Sequence, residues 1–511
     1  MPNRSGWAGM ISRGLMNKLL TSFLLAGTAI AALSVPVLAA ASNKPATPDP
    51  RISVLEQELR DVQLQLRQIK AAHGDADNSA ALADLKRSTS AQYADMGSQL
   101  AALPKTSLSN GRVSFASADG AFTLALRALM QFDTAYFAQG KNPASVDLNS
   151  GTNFRRAQLG LQGTVYNDWA YNFLYDFGGN GVENRGYIYN AYIQYDGFKP
   201  FFFRIGAYTP AEGLEDQTGS GDLFFLERAS ASDIARNIAG APSREAASLW
   251  AQGENYLVSV SYTGKKTSDG TSTGAAVGTF DAQEAVIGRA SWLAVSQPTV
   301  KWLLDGHITE ILKLTDAVAS SPISPTTIRF SNGPEVAVDA SRTVDTGNID
   351  AHHVREFGFE SAAEYDRFFA QGGWFRYEIE RRIAVPSPNF TGWYGFLTYS
   401  LTGEQHPYDA ATASFRNIRP AKPLGTQDGW GAWEATARYS SIDLDFLPFS
   451  TAATGGIAGG KQDVWALGLN WYPNNAIKFQ LNYENVQVNH INAPGTDISA
   501  NVIGLRSQIQ L

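Results

Sequence analysis

Six arginines and two lysines recur on the polar side of short alternating segments: Arg127, Arg156, Arg204, Arg289, Arg376 and Arg438, with Lys301 and Lys478. A guanidinium keeps its charge at any working pH, and its fork matches carboxylate and phosphate oxygens. A ladder of such groups along a water-filled passage would attract anions and lead them through. Acids are as plentiful on the same faces: Asp133, Asp176, Asp305, Glu360, Glu364, Glu378, Glu380, Glu434 and Glu484. The arginines could therefore serve as their ion-pair partners instead, and the sequence leaves both roles open. Catalysis finds no support. The six histidines are scattered apart from His352-His353, and no nucleophile, phosphate-loop or metal-ligand motif occurs. No cofactor and no metal is expected.

The elements carrying these charges read as β-strands. In "NFRRAQLGLQGTVY", Ala157, Leu159, Leu161 and Val165 share one face, while Arg156, Gln158, Gly160, Gln162 and Thr164 share the other. "WAYNFLYDFGG" sets Trp169, Tyr171, Phe173, Tyr175 and Phe177 against Asn172 and Asp176. "GWFRYEIERRI" sets Phe375, Tyr377 and Ile379 against Arg376, Glu378, Glu380 and Arg382. "GAWEATARYS" and "ANVIGLRSQIQL" repeat the pattern, with Glu434, Thr436 and Arg438, then Arg506, Gln508 and Gln510, on the polar side. Leu129, Leu174, Leu257 and Ile287 interrupt it.

About sixteen such segments begin near Phe122, Phe154, Trp169, Tyr187, Phe201, Ala247, Tyr256, Ala285, Val300, Val354, Trp374, Thr391, Ala432, Val464, Ile477 and Asn501. Short connections (Asn167-Asp168, "DGFKP", "QGGW", "PNNA") alternate with long ones (Thr209 to Ala246, Ile311 to His353). Short turns on one rim and long loops on the other mark a transmembrane antiparallel barrel, with apolar faces toward lipid and polar faces toward a lumen. A lipid-facing Arg or Lys at the bilayer midplane would cost roughly 2–4 kcal/mol, which this alternation avoids. Thr402 to Gly431 breaks the rule, being thirty residues long where a short turn is due. Either the count slips there or that rim carries an elaboration. Thr209 to Ala246 is the candidate constriction, pinned to the wall by Leu223, Phe224, Phe225 and Leu226; an ordinary surface loop is the alternative.

Composition agrees with a membrane barrel. Charged residues are 17% of 511, aromatics 11%, and there are 47 glycines and no cysteine, against roughly 25% charged in ordinary soluble chains. The absence of cysteine excludes disulfides and thiolate metal sites. Residues 1–41 carry Arg4, Arg13 and Lys18 and no acid, with an apolar run from Leu19 to Leu38 and then Ala39-Ala40-Ala41. That is the pattern of a secretory signal peptide, although the run is long enough for a membrane anchor. Cleavage would leave 38 Lys+Arg against 48 Asp+Glu, a formal charge of -10, which disfavours nucleic acid as a partner. Residues 42–73 comprise a Pro-rich spacer and a helix with Ile52, Leu59 and Leu66 at heptad a and Leu55, Val62 and Ile69 at d. Leu at a with Ile at d leans toward three or four strands; a helix packed on its own chain is the alternative. Residues 74–112 read as a flexible linker, and 113–511 as the barrel domain.

Together "FRRAQLGLQG", "DWAYNFLYDFGG", "AYIQYDGFKPFFFRIGAYTPAEGLE", "FLERA", "YSLTGE" and "GAWEATARYS" resemble the phosphate-selective porin O and P family of Gram-negative outer membranes. The resemblance runs from about Phe122 to Leu511. It implies a sixteen-stranded barrel assembling as a homotrimer in outer-membrane lipid. It also implies a third long loop folded inward and an arginine ladder leading small anionic or polar solutes to a basic constriction. Arg155 and Arg156 match the family's arginine pair, and Arg228 of "FLERA" its basic residue near the inward loop. Alternation alone places only Arg156 in the lumen. The sequence departs from the family in having no lysine in "GLEDQTGSGD", which offers Glu215, Asp216 and Asp222 instead, and in ending on Leu511 rather than an aromatic residue. A cation-tolerant pore, an envelope-structural barrel tethered through its coil and a soluble sugar-binding protein or hydrolase are the competing functions.

Overall fold

The computed structural model describes residues 79–511 except 110–111, 142, 144–145, 179–185, 268–281, 316–326, 427 and 492–494. Before residue 79 it describes only Arg60, Gln63, Leu64 and Arg67. The signal segment and the heptad positions Ile52 to Ile69 lie outside the described residues. The interval read as a linker contains α1 (Ser79–Ala101). Its register of Ala, Leu, Lys, Gln and Met favours a helix intrinsically, a preference that low hydrophobicity masked. A hairpin of Lys105–Ser109 with Arg112–Ala116 follows. Its second strand hydrogen-bonds to the start of the barrel, Phe115 opposite Leu124.

Sixteen antiparallel strands form the wall. They are β1 (Thr123–Lys141), β2 (Gly151–Val165), β3 (Trp169–Asp176), β4 (Tyr187–Phe198), β5 (Phe201–Tyr208) and β6 (Arg244–Gln252). Then come β7 (Tyr256–Lys266), β8 (Glu284–Ser296), β9 (Val300–Lys313), β10 (His353–Tyr365) and β11 (Phe368–Glu380). The last are β12 (Asn389–Ser400), β13 (Ala432–Phe446), β14 (Ile457–Tyr472), β15 (Ile477–Asn489) and β16 (Ile498–Gln510). Each pairs with its sequence neighbours, and β16 returns to β1 with Arg506 opposite Asp133. Full closure leaves no edge with unpaired backbone groups, which hydrocarbon could not satisfy. Arg506 and Asp133 seal the seam with two hydrogen bonds of 2.7 Å.

The outer surface is apolar. Leu159, Leu161, Phe173, Trp292, Trp302, Trp465, Leu467, Ile503 and Leu505 are all exposed there. Aromatic pairs cluster beside the short turns, Trp169 with Tyr195 and Trp433 with Trp471, at 4.8 and 5.3 Å between ring centres. Such a girdle belongs at the lipid–water interface. No helix among the described residues is long and apolar enough to cross a membrane, and strands do the crossing.

Two strand assignments need correcting. "QGGW" lies inside β11, whose preceding turn is Asp366-Arg367. On that strand the expected faces are reversed beyond Gly373: Phe375, Tyr377 and Ile379 are buried inward, whereas Arg376, Glu378 and Glu380 point outward. The lumen is filled at this height by an inward loop that needs an apolar seat. Outside, Arg376 pairs with Glu378 at 2.7 Å and Arg355 pairs with Glu310. These charges lie near the long-loop ends of β9–β11, where a lipid-side charge costs only about 0–1 kcal/mol.

Candidate functional site

Three segments enter the barrel and decide what space remains. The first, residues 209–243, carries α2 (Leu214–Gln217) and α3 (Ser230–Ala239), both largely buried. Its apolar residues anchor it as expected. Phe224 stacks on Phe369 at 5.0 Å and touches Phe396 at 4.9 Å, and Phe225 packs against Phe396. Helix α3 lies so close to β12 that a Cβ on Gly392 would fall 2.7 Å from the Ala231 methyl. Only glycine admits that approach.

Backbone carbonyls of the strap 220–227 are received by polar side chains of the wall. Gln131 donates to Ser220 O and Gln508 to Gly221 O, both at 2.8 Å. Lys478 and Gln480 donate to Leu223 O at 2.8 and 3.1 Å. Asn470 donates to Phe224 O at 3.0 Å, Arg506 to Leu226 O and Arg438 to Glu227 O at 2.8 Å. Much of the arginine and glutamine face is thus a rack of donors for carbonyls that would otherwise be buried unpaired.

The second segment, between β9 and β10, reaches the same place from the long-loop rim. Glu335 accepts from Ser230 N and Ser440 Oγ, both at 2.7 Å, and pairs with Arg438 at 2.5 Å. The third, residues 401–431, enters from the short-turn rim. The strand count does not slip there; the rim carries an elaboration. Arg289 donates to Thr412 O and Ala413 O at 2.7 and 3.0 Å, and His406 meets Glu434 at 2.8 Å. Asn417 donates to Gly221 O at 2.7 Å and Arg416 reaches Asp222 at 3.4 Å, so the segments from opposite rims touch.

Two cavities among the described residues are lined by charged side chains. One, about 1210 Å³, is lined by Arg155, Arg156, Arg228, Arg236, Arg329, Arg342 and Lys266 against Asp176, Glu227, Asp233, Glu335 and Asp339. The other, about 510 Å³ and beside the short turns, is lined by Arg112, Arg416, Arg419 and Lys478 against Asp222. Between them Arg156 donates to Gln131 Oε1 and Gln131 donates to Gln508, both at 2.7 Å. Two pairs further along β1, Arg127 lies within electrostatic reach of Arg112 and Arg416 and of Tyr189 and Tyr192. It has no acidic partner among the described residues.

Residues 122–511 match the sequence profile of the family described as phosphate-selective porin O and P. The chain belongs to that family. It is 27% identical to Porin O of Pseudomonas aeruginosa over 403 residues, covering 75% of this chain and 86% of that protein. It is 25% identical over 382 residues to an uncharacterized protein of Caulobacter vibrioides, covering 73% and 70%. Among solved structures, OmpT of Vibrio cholerae with loop L8 deleted has 12% identity and a TM-score of 0.46, covering 76% and 100%. The anion-selective porin from Comamonas acidovorans has 12% identity and a TM-score of 0.41, with the same coverage. The chain is an outer-membrane porin, a channel rather than an enzyme.

The porin sorts its eight sequence-predicted arginines into four groups. Arg155, Arg156 and Arg228 line the larger cavity together. Both members of the arginine pair turn inward because β2 bulges there: Gln131 opposes Arg156 and Phe132 opposes Phe154, leaving Arg155 extra. A bulge re-aims one side chain, which strict alternation cannot anticipate. Arg155 binds Glu227 at 2.7 and 3.0 Å, while Arg228 donates to the carbonyls of Glu215, Asp216 and Thr218 at 2.7–3.0 Å. Arg127 and Arg204 face the lumen without acids. Arg204 donates to Gln194 and lies over Tyr192, Trp250 and Tyr208 at 4.1, 4.7 and 5.1 Å. Arg289 and Arg438 are buried anchors, and neither lines the 1210 or the 510 Å³ cavity. Arg376 faces outward and leaves the pathway.

Sequence reasoning counted Arg236 among the bases of the inward loop without giving it a site role, and missed Arg329 and Arg342, which stand in loops where no periodicity marks an inward face. It also counted the loop acids as free charge. Asp216 is bound by Arg236 at 2.5 Å, and Glu227 is held well below the usual carboxylate range by Arg155 and Arg156 against the effect of burial. Burial pushes Glu215 up to about 8.

Proposed function

We propose that the porin passes small anions and polar solutes, with phosphate-like oxyanions among them, and disfavours cations. The supporting observation is a charge inversion. The chain carries a formal -7, yet both the 1210 and the 510 Å³ cavity are lined by more basic than acidic side chains. Anions entering from the long-loop side meet Arg155, Arg156 and Arg228, then Arg127, then Arg112 and Arg416. Arg127 carries this reading furthest, since an inward guanidinium beside other cations and without a carboxylate gains nothing structurally from its charge. The constriction lacks lysines, so the selection is for charge and size rather than for phosphate alone. Trimerisation through Ile52, Leu55, Leu59, Val62, Leu66 and Ile69 is part of the same proposal, because Leu at a with Ile at d suits three strands.

Reversal potentials across planar bilayers in a salt gradient test the selectivity. The wild type should favour chloride over potassium, and Arg156→Ala should lower that preference several-fold. Cation-favouring potentials in both would remove the anion reading and leave the porin itself untouched.

A further inference from the structure

The inward faces of β9 and β10 carry a cluster that the permeation pathway does not use. Asp305 and His307 stand on β9, and Glu356 and Glu360 on β10, with Asp305 opposite Glu360 and Thr309 opposite Glu356. Glu212 of the first inward loop descends onto them, accepting from Thr309 Oγ1 at 2.9 Å. All five ionisable side chains are buried, and Glu356 is 0% exposed. His307 Nδ1 lies 3.5 Å from Asp305 Oδ1 and 3.9 Å from Glu360 Oε2, while Nε2 lies 3.2 Å from Glu356 Oε1.

Some of these atoms are satisfied. Arg289 donates to Asp305 Oδ2 at 2.8 Å, and Glu360 accepts from the amides of Leu214 and Glu215 and from Tyr394. Asp305 Oδ1, both His307 nitrogens, both Glu356 oxygens and Glu212 Oε2 have no aligned hydrogen bond. Four buried carboxylates thus face one arginine and one imidazole. Unpaired buried charge costs several kcal/mol per group, so the arrangement lacks a cation.

We infer that Asp305, His307 and Glu360 bind a divalent metal ion of the Zn²⁺ or Mn²⁺ class through Oδ1, Nδ1 and Oε2. The three ligand atoms lie within 4.8 Å of one another. Bonds of about 2.1 Å in a tetrahedron give ligand–ligand edges of about 3.4 Å, close to the 3.5 and 3.9 Å found here. Imidazole with carboxylates suits these ions. Nε2 then carries the ring proton and donates to Glu356, the outer carboxylate that metal-bound histidines habitually have.

Glycines close the site. A Cβ on Gly213 would lie 2.3 Å from Glu360 Oε2, and one on Gly358 would lie 2.0 Å from His307 Nε2. Because Glu360 also holds Leu214 and Glu215, the ion staples the inward loop to two wall strands. This inference does not rest on the anion reading.

The test uses the full-length porin in detergent, stripped with EDTA and titrated calorimetrically with Zn²⁺. One ion per chain should bind, at least tenfold more weakly in His307→Gln and Glu360→Gln. An exposed group, His352, His353 and Glu380, is the competing cation site, so His352→Gln/His353→Gln should bind as the wild type does. Heat-modifiable electrophoretic mobility reports that each variant is folded. X-ray absorption of the Zn²⁺-loaded wild type, which needs no variant, should give one nitrogen and otherwise oxygen neighbours. Absence of stoichiometric binding, or binding abolished at His352 and His353 but kept without His307, would overturn the site.

Discussion

Glu227 is the carboxylate on which the larger cavity's arginines converge, and Glu227→Gln isolates its charge. Arg155 meets it at 2.7 and 3.0 Å, Arg506 at 2.9 Å and Arg156 at 3.8 Å. The amide keeps the shape and one acceptor oxygen but removes one of five lining acids while all seven lining bases remain. A unit charge about 6 Å from a passing ion, at an effective dielectric of about 20, is worth roughly 3 kcal/mol. Screening at 0.1 M salt, where the Debye length is about 10 Å, reduces this to about 1.5 kcal/mol. The shift favours chloride and disfavours potassium by about tenfold each, so the chloride-to-potassium permeability ratio should rise about a hundredfold. Stability should fall by roughly 2–4 kcal/mol from weakened charge-assisted bonds, with Arg506 still tied to Asp133. Since the arginines depress the Glu227 pKa, its contribution is present above the ordinary carboxylate range. It is lost only as pH falls through the depressed value, so mild acid should not reproduce the variant. Reversal potentials of a folded Glu227→Gln channel are the assay. An unmoved ratio, or one shifted toward potassium, would show that ions do not pass this arginine cluster.

Two further outcomes follow from the inward loop. Phe224→Ala removes a ring stacked on Phe369 and packed at a tilt against Phe396 and should cost about 3–5 kcal/mol. Protease nicking within 209–243 and noisier single-channel currents would register the loosened loop, and a quiet, resistant channel would count against its anchoring role. Burial raises Glu215 to about 8, so folding favours its protonated form. The stability of the seated loop should fall as pH rises from about 4.5 toward 8, read as faster hydrogen exchange in 214–239 at pH 8.5 than at pH 5; equal rates would contradict it.

Sixteen strands were legible because lipid on one side and water on the other impose a period of two on nearly every segment. The inward role of 209–243 was legible too, since four consecutive apolar residues in a polar loop need somewhere to be buried. Legibility failed where the lumen is not water. Phe375, Tyr377 and Ile379 seat a loop, so the side that looks lipid-facing on β11 is the inner one. Arg155 escaped alternation through a bulge, and no periodicity marks Arg329 or Arg342. The thirty-odd residues before β13 were visible as an anomaly, but their entry from the short-turn rim depends on contacts with Arg289 and Gly221 that only folding creates. His307 looked solitary because the residues around it arrive from two strands and a distant loop.

The strap 220–227 is gripped by its carbonyl groups, which every residue presents alike. The Ser220 side chain, which borders the larger cavity, is thereby excused from the work of attachment, whereas Asp222 is held by Arg416 and by the amide of Asn417. A lineage could therefore vary the cavity lining at Ser220 without redesigning the rack that holds the loop.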